Sequence, residues 1–141
     1  MGVDVSSVLF VCSANALRSP MADALLKHSH GGRLYVDSVG VGEGPLDGMA
    51  VAVMAEIGLD ISGHQAKRLD ELMDTSFDLV ITLSPEAHHR AIELTRSAAW
   101  EVVYWNTADP SAVEGNRETR LNAYREMRDA LVRRIAETFG P

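Results

Sequence analysis

The sequence predicts an α/β fold, a single-domain open sheet of four parallel strands with helices on both faces. Three observations predict it. Short apolar runs at residues 5–11, 33–38, 77–82 and 101–105 alternate with longer stretches of helical periodicity. The third run is apolar on both faces except at Asp78, as a strand inside a parallel sheet requires. The 141 residues, 46% hydrophobic and 23% charged, suffice for one core, and no linker-like stretch divides them.

In chain order, residues 1–4 read as a disordered start and 5–11 as the first strand. Ser19 is expected to cap a helix whose Met21, Ala22, Leu25 and Leu26 recur at helical spacing, with Asp23 in its first turns and His28 and Gly31-Gly32 at its end. A second strand, 33–38, runs into Val39-Gly40-Val41-Gly42-Glu43-Gly44-Pro45. Glycines so dense mark a loop that is either mobile or closely approached by other backbone. Asp47 is placed to cap a helix over 48–56, with Met49, Val53 and Ile57 as its buried stripe and Gly58 as its stop. Residues 59–67 form a connector, and Asp70 is expected to cap a short helix ending at Met73. Pro85 starts a helix to about residue 96, and the fourth strand leads into the loop Asn106-Thr107-Ala108-Asp109-Pro110-Ser111. The last helix spans about 116–138, with Leu121, Tyr124, Met127 or Arg128, Leu131, Ile135 and Phe139 on its core face. Right-handed crossovers then give a flavodoxin-like or Rossmann-like topology, with ligands bound beyond the carboxyl ends of the strands. Cys12 follows the first strand and Asp109 the fourth, so both belong to that edge.

A formal net charge of −7 argues against a nucleic-acid binder and against attraction to an anionic membrane. It also offers an anionic substrate no long-range steering, so an anion site here rests on local dipoles and individual cations. No apolar run approaches the length of a bilayer span, and the N-terminus shows neither a basic n-region nor a cleavage site. A cytoplasmic location is expected. A single cysteine forbids an internal disulfide and fits a reducing compartment.

The chemistry concentrates between Val8 and Pro20. An apolar strand, a tight loop and a helix start follow one another, with Cys12 and Arg18 at the two ends of the loop. Cys12 stands where the strand ends, so its sulfur faces a ring of backbone N–H groups closing on the helix N-terminus. Those surroundings favour a thiolate, a thiolate attacks phosphorus, and the planar guanidinium of Arg18 can hold two equatorial oxygens of a phosphoryl group. A lone cysteine after a strand is more often an inert core thiol. Here the strand, the loop length, Arg-Ser-Pro and an amphipathic helix coincide.

The pattern Val-Cys-x-x-Asn-x-x-Arg-Ser-Pro resembles the active-site signature of the low-molecular-weight protein tyrosine phosphatases and of the thioredoxin-coupled arsenate reductases that share their fold. The resemblance spans nearly the whole chain, including Ser38-x-Gly40, Gly44-Pro45, Gly58-x-Asp60-x-Ser62 and His64-x-Ala66. It implies a phosphomonoesterase without metal or cofactor that works through a phosphocysteine, with Cys12 as nucleophile, Arg18 as phosphate grip and Asp109 as general acid. It also implies substrate contacts from Ser13, Ala14, Asn15, Ala16, Leu17 and Ser19. The implied substrate is a phosphotyrosine protein or a small aryl phosphate, and the product inorganic phosphate. From the residues alone, Asp109-Pro110 is equally a turn-forming pair, Ser19 can stabilise the thiolate or cap the helix, and Asn15 suits a left-handed loop position.

The sequence departs from the family at four places. Ala14 replaces a glycine, Leu17 a second cysteine, Leu83-Ser84 a Met-Asp pair, and Ser111-Ala112 the tyrosine pair that often follows Asp-Pro. The catalytic set survives, but aromatic walls that grip a phosphotyrosine ring are lost; Tyr104, Trp105 and Leu46 are the candidates to replace them, each equally suited to packing. Arsenate reduction is the alternative function, and with one cysteine it requires an external thiol or redoxin. A non-catalytic anion-binding module is a second alternative, against which the joint retention of Cys12, Arg18 and Asp109 argues. His28-x-His30 and His88-His89 lack further ligands at zinc spacing and read as solvated. The arginines of the last helix, interleaved with Glu118, Glu126, Asp129 and Glu137, read as a solvated face with i,i+4 pairs.

Overall fold

Four strands, β1 (Ser7–Cys12), β2 (Tyr35–Gly40), β3 (Leu79–Thr82) and β4 (Glu101–Tyr104), form one parallel sheet in the order β2-β1-β3-β4. The structure, a computed structural model, describes residues 5–72, 77–96 and 100–141; the expected disordered start at 1–4 and the expected helix end at Met73 lie outside them. From β1 the chain moves to β2 on one side and then crosses to β3 on the other, so the topological switch point of this flavodoxin-like sheet lies between β1 and β3. Cys12 is the last residue of β1 and stands at that point.

The helices are α1 (Arg18–His30), α2 (Gly48–Ala55), α3 (Pro85–Leu94) and α4 (Arg117–Phe139), with short 3-10 turns at Leu69–Leu72 and Pro110–Ala112. Because side chains alternate along a strand, β1 feeds two cores. Val8, Phe10 and Cys12 join Met21, Leu26, Val53, Tyr124 and Leu131 from α1, α2 and α4; Leu9 and Val11 join Ala87 and Ala91 of α3 on the other face. Helices therefore cover both faces, as the sequence predicts.

Several local expectations are corrected. The second strand begins and ends two residues later than expected, because Gly40 pairs with Cys12 and draws the chain to the tip of β1. Ser19 does not cap α1: the N-cap is Leu17, which makes no side-chain capping bond, and the helix starts at Arg18. The buried face of α2 is Ala50, Val53 and Met54, while Ile57 is 44% exposed beyond the helix end, where Gly58 turns the chain at φ +83°. Asp47 does cap α2, accepting from the amides of Met49 (2.8 Å) and Ala50 (3.3 Å). Asp70 caps nothing; its carboxylate takes Arg68 at 2.9 Å, and Glu71 accepts the Arg68 amide. His30 is buried rather than solvated, with Nδ1 2.7 Å from Ser29 Oγ and its ring against Phe139. His88 Nδ1 lies 2.9 Å from Thr82 Oγ1, so it too is engaged. On α4 it is Met127, not Arg128, that is buried in the core. Arg125 and Arg128 pair within their own helix with Glu118 and Asp129, neither at i,i+4 spacing, and both also cross to Glu56, just beyond α2. No helix among the described residues is long and apolar enough to cross a membrane, and no three metal-ligating side chains gather among them.

Candidate active site

The loop from Cys12 to Leu17 is held from outside by the glycine-rich segment. The carbonyls of Cys12, Ser13, Ala14 and Ala16 accept hydrogen bonds from the amides of Val41 (2.9 Å), Gly42 (2.8 Å), Gly44 (3.1 Å) and Asp47 (2.9 Å). In a trans peptide the N–H opposes the C=O. Turning those carbonyls outward therefore turns the amides of Ser13, Ala14, Asn15 and Leu17 the other way, which gives the loop the polarity an anion needs. Of the two expectations for the glycines, close approach holds. A Cβ on Gly40 would sit 2.4 Å from the Gly42 carbonyl oxygen and 2.6 Å from the Asn15 amide nitrogen, so no larger residue fits there.

Asn15 has φ +54°, the left-handed region that asparagine tolerates better than most residues. Its side chain is fully buried, and both polar atoms are doubly used. Nδ2 donates to Ser19 Oγ (2.8 Å) and Ser38 Oγ (3.2 Å); Oδ1 accepts from His64 Nε2 (2.9 Å) and the Lys67 amide (2.9 Å). Because the Lys67 N–H can only donate, Oδ1 is the oxygen, and His64 must carry its proton on Nε2. Burial holds the His64 ring below the usual histidine pKa, which keeps it a neutral donor. Ala14 needs no unusual backbone, since Asn15 is the one described non-glycine residue at positive φ.

The Cys12 sulfur is buried, 2.9 Å from Ser19 Oγ and 3.4 Å from the Ser19 amide nitrogen, which donates to it from the first turn of α1. Ser19 Oγ has one proton and two acceptors within reach, the sulfur and the Val39 carbonyl oxygen at 3.2 Å. With a thiol, S–H donates to Oγ and Oγ donates to Val39. With a thiolate, the hydroxyl turns to the sulfur. The helix end that lacks a side-chain cap thus commits its Ser19 N–H to the sulfur, and Pro20 has no N–H to satisfy.

Cys12, Ser13, Ala14, Ala16, Leu17, Arg18, Asp47, Asp109 and Ser111 line one cavity of about 400 Å³, closed on one side by Pro45 and Leu46. Arg18 Nη1 donates to the Thr107 carbonyl at 2.9 Å, which ties the cradle to the loop that carries Asp109. Asp109 Oδ1 accepts from the Ser111 amide (3.0 Å) and hydroxyl (2.6 Å), so the serine that departs from the family pattern orients the carboxylate. Asn15 and Ser19 do not line the cavity; their side chains support it from behind. Of the candidates for a replacement wall, Leu46 borders the cavity, Trp105 is buried against Phe10, and Tyr104 packs on His88. At the other family departure Ser84 caps α3 and its Oγ lies 3.1 Å from Ser13 Oγ.

Sequence reasoning gave no part to Ser38, His64, Lys67, Thr107 or Tyr124. Ser38 and His64 do lie in stretches that carry the resemblance, but their roles depend on Asn15 and become visible only when the sheet brings the three together. Tyr124 was legible as core, and its hydroxyl reaches Asp47 Oδ2 at 2.6 Å.

Comparison with known proteins agrees with this geometry. Residues 7–137 match the family model described as low molecular weight phosphotyrosine protein phosphatase. An arsenate reductase of Halalkalibacterium halodurans is 32% identical over 133 residues, 94% of each chain. Among solved structures, a low molecular weight protein tyrosine phosphatase from T. tengcongensis superposes with a TM-score of 0.78 at 26% identity, over 94% of this chain and 96% of that one. An arsenate reductase in a phosphate-binding state superposes with a TM-score of 0.72 at 27% identity, over 94% and 95%. With the match running from the first residue of β1 almost to the end of α4, the chain belongs to the low molecular weight phosphotyrosine protein phosphatase family.

Proposed function

We propose that this protein is a cysteine-dependent phosphomonoesterase whose chemistry uses its own side chains alone. The observation that carries the reading is the convergence of Cys12, Arg18 and Asp109 on one cavity. A phosphoryl group seated over the loop amides has its equatorial oxygens held by those amides and by Arg18, whose Nη1 is steadied by Thr107. The Cys12 thiolate attacks phosphorus, an S–P bond forms, the ester P–O bond breaks, and the departing oxygen takes the proton of Asp109. Both bonds from Ser111 fall on Oδ1 of Asp109, so Oδ2 is the oxygen for that transfer. In the second step Asp109 takes a proton from water, the water oxygen attacks phosphorus, and the thiolate leaves. The Ser19 hydroxyl stabilises it as it goes, and inorganic phosphate is released.

Arsenate reduction is the second reading, favoured by the arsenate reductases among the relatives and by a cavity with no aromatic side chain in its wall. In the first step the Cys12 thiolate attacks arsenic, an S–As bond forms, and an As–O bond of arsenate breaks, its hydroxyl taking the proton of Asp109 and leaving as water. An external thiol then attacks the Cys12 sulfur, the electron pair of the S–As bond passes to arsenic, and arsenite leaves behind a mixed disulfide that a second external thiol reduces. The chain's one cysteine makes both thiols external. Hydrolysis of para-nitrophenyl phosphate with and without chelator, beside arsenate-dependent oxidation of glutathione with glutaredoxin, separates the readings. Chelator-insensitive hydrolysis that vanishes in Cys12→Ser supports the first. Thiol oxidation without ester hydrolysis replaces it with the second, and oxyanion binding with neither activity reduces the site to a binding module.

A further inference from the structure

Two walls of the cavity are braced on the same helix. One is the Asp109 loop, whose 3-10 turn Pro110–Ala112 packs on α4. The other is the segment ending at Asp47, which α4 reaches through a single bond, the Tyr124 hydroxyl donating to Asp47 Oδ2 at 2.6 Å. Every other polar atom of Asp47 available for fixing it is also committed: Oδ1 caps α2, and the backbone N–H donates to the Ala16 carbonyl at 2.9 Å. The peptide so held is the one whose opposite side offers the Leu17 amide to the cavity. We propose that Tyr124 is a positioning residue for oxyanion binding, its hydroxyl holding Asp47, and through Asp47 the Ala16–Leu17 peptide, in register with the Asp109 loop.

The alternative is a buried phenol that merely finds an acceptor. Two observations favour positioning. The acceptor is a carboxylate at the cavity wall, a stronger bond than one to a neutral carbonyl. Burial first, and Asp47 second, push the Tyr124 phenol well above its ordinary pKa, so it stays a donor throughout the working pH range. The inference rests on the oxyanion reading of the cavity but not on which reaction follows.

The test measures the dissociation constant of inorganic phosphate by titration calorimetry for the wild type, Tyr124→Phe, Asp47→Ser and the double variant, with melting temperatures alongside. Serine keeps the cap on α2 but is too short to reach the phenol as well. Each single variant should weaken phosphate about three- to tenfold, in line with the loss of one hydrogen bond to a charged group, and the double variant should be no weaker than the worse single. A lowered melting temperature with unchanged phosphate binding in Tyr124→Phe would reduce the tyrosine to a structural part and overturn the inference. So would additive losses in the double variant. If Tyr124→Phe does not fold, Asp47→Ser alone decides, since unchanged binding there removes the link. Failure of the wild type to bind phosphate or arsenate at all would instead overturn the oxyanion reading itself, a distinct outcome.

Discussion

The two polar atoms of the Asn15 side chain carry four hydrogen bonds, and the residue also holds the loop's left-handed turn. Asn15→Ala orphans buried donors and acceptors and adds strain, together about 3 kcal/mol, or a fall in Tm of about 10 °C for a domain of this size. Asn15→Gly accepts the backbone angle freely, so it should recover the strain and not the bonds. Equal melting temperatures for the two variants would remove strain from the account. Asp109 carries a different expectation. Protonation matters most for a poor leaving group, so Asp109→Asn should depress phenyl phosphate hydrolysis about 10²- to 10⁴-fold and nitrophenyl phosphate far less. Equal losses would leave Asp109 as a shaper of its loop. Cys12 and Arg18 were legible in the sequence because one closes a strand and the other opens a helix that local pattern marks, whereas Asp109, in a loop beyond β4, was singled out by its edge of the sheet and by the resemblance. Ser19 was half legible. A serine just before a proline at a helix start has the pattern of a cap, and only the position of the sulfur shows that its hydroxyl turns inward instead. His64 was not legible in function, since its partner lies 49 positions away.

At the scale of elements, the segment between β2 and α2 shapes the cradle by holding its carbonyls, and Gly40 is where the two backbones come closest. Gly40→Ala places a methyl against backbone on both sides, with no flexible side chain to yield, so the Cys12–Leu17 loop must shift. Phosphate binding should fall by at least tenfold, while the helices keep the far-ultraviolet circular dichroism near that of the wild type, since the close contacts of the added methyl are with loop backbone. Wild-type affinity in this variant would mean that the loop's geometry does not depend on the close approach. The existence and order of the four strands and four helices could be read from periodicity, because each buries a face that the pattern must respect. Their ends could not, for the ends are set across the sheet. The pairing of Cys12 with Gly40 shifts β2 two residues along the chain, and the need to present a free N–H to the sulfur moves the start of α1 back to Arg18. The interleaved charges of α4 illustrate the same limit, since Arg125 and Arg128 pair with Glu118 and Asp129 rather than at i,i+4 spacing, and both add Glu56 from beyond α2.

Over the whole molecule, α4 is the brace that joins α2, the Asp109 loop and the cradle, and its polar link to α2 is a cluster of Arg125 and Arg128 around Glu56. Arg125 grips both carboxylate oxygens at 2.7–3.0 Å, and Arg128 adds 2.9 Å to Oε1 while also donating to the Val53 carbonyl oxygen at 2.8 Å and to Asp129 Oδ1 at 2.9 Å. Arg125 first, and Arg128 second, lower the Glu56 pKa from 4.5 to about 2. A carboxyl whose folded pKa lies below its unfolded value contributes stability that is complete above the unfolded value and is lost as pH falls toward the folded one. The window here is therefore about 4.5 down to about 2. Glu56→Gln should lower Tm at pH 6 and approach the wild type as pH falls through that window. The comparison of variant with wild type cancels the separate acid loss expected of His64, whose depressed pKa makes folding less favourable as pH drops below 6.5. Because Glu56 and Arg125 are partly exposed, 1 M salt should shrink the pH 6 difference. A gap between variant and wild type that is the same at pH 6 and pH 2.5, and indifferent to salt, would show that Glu56 acts through packing and that α4 is held on α2 by its apolar face alone.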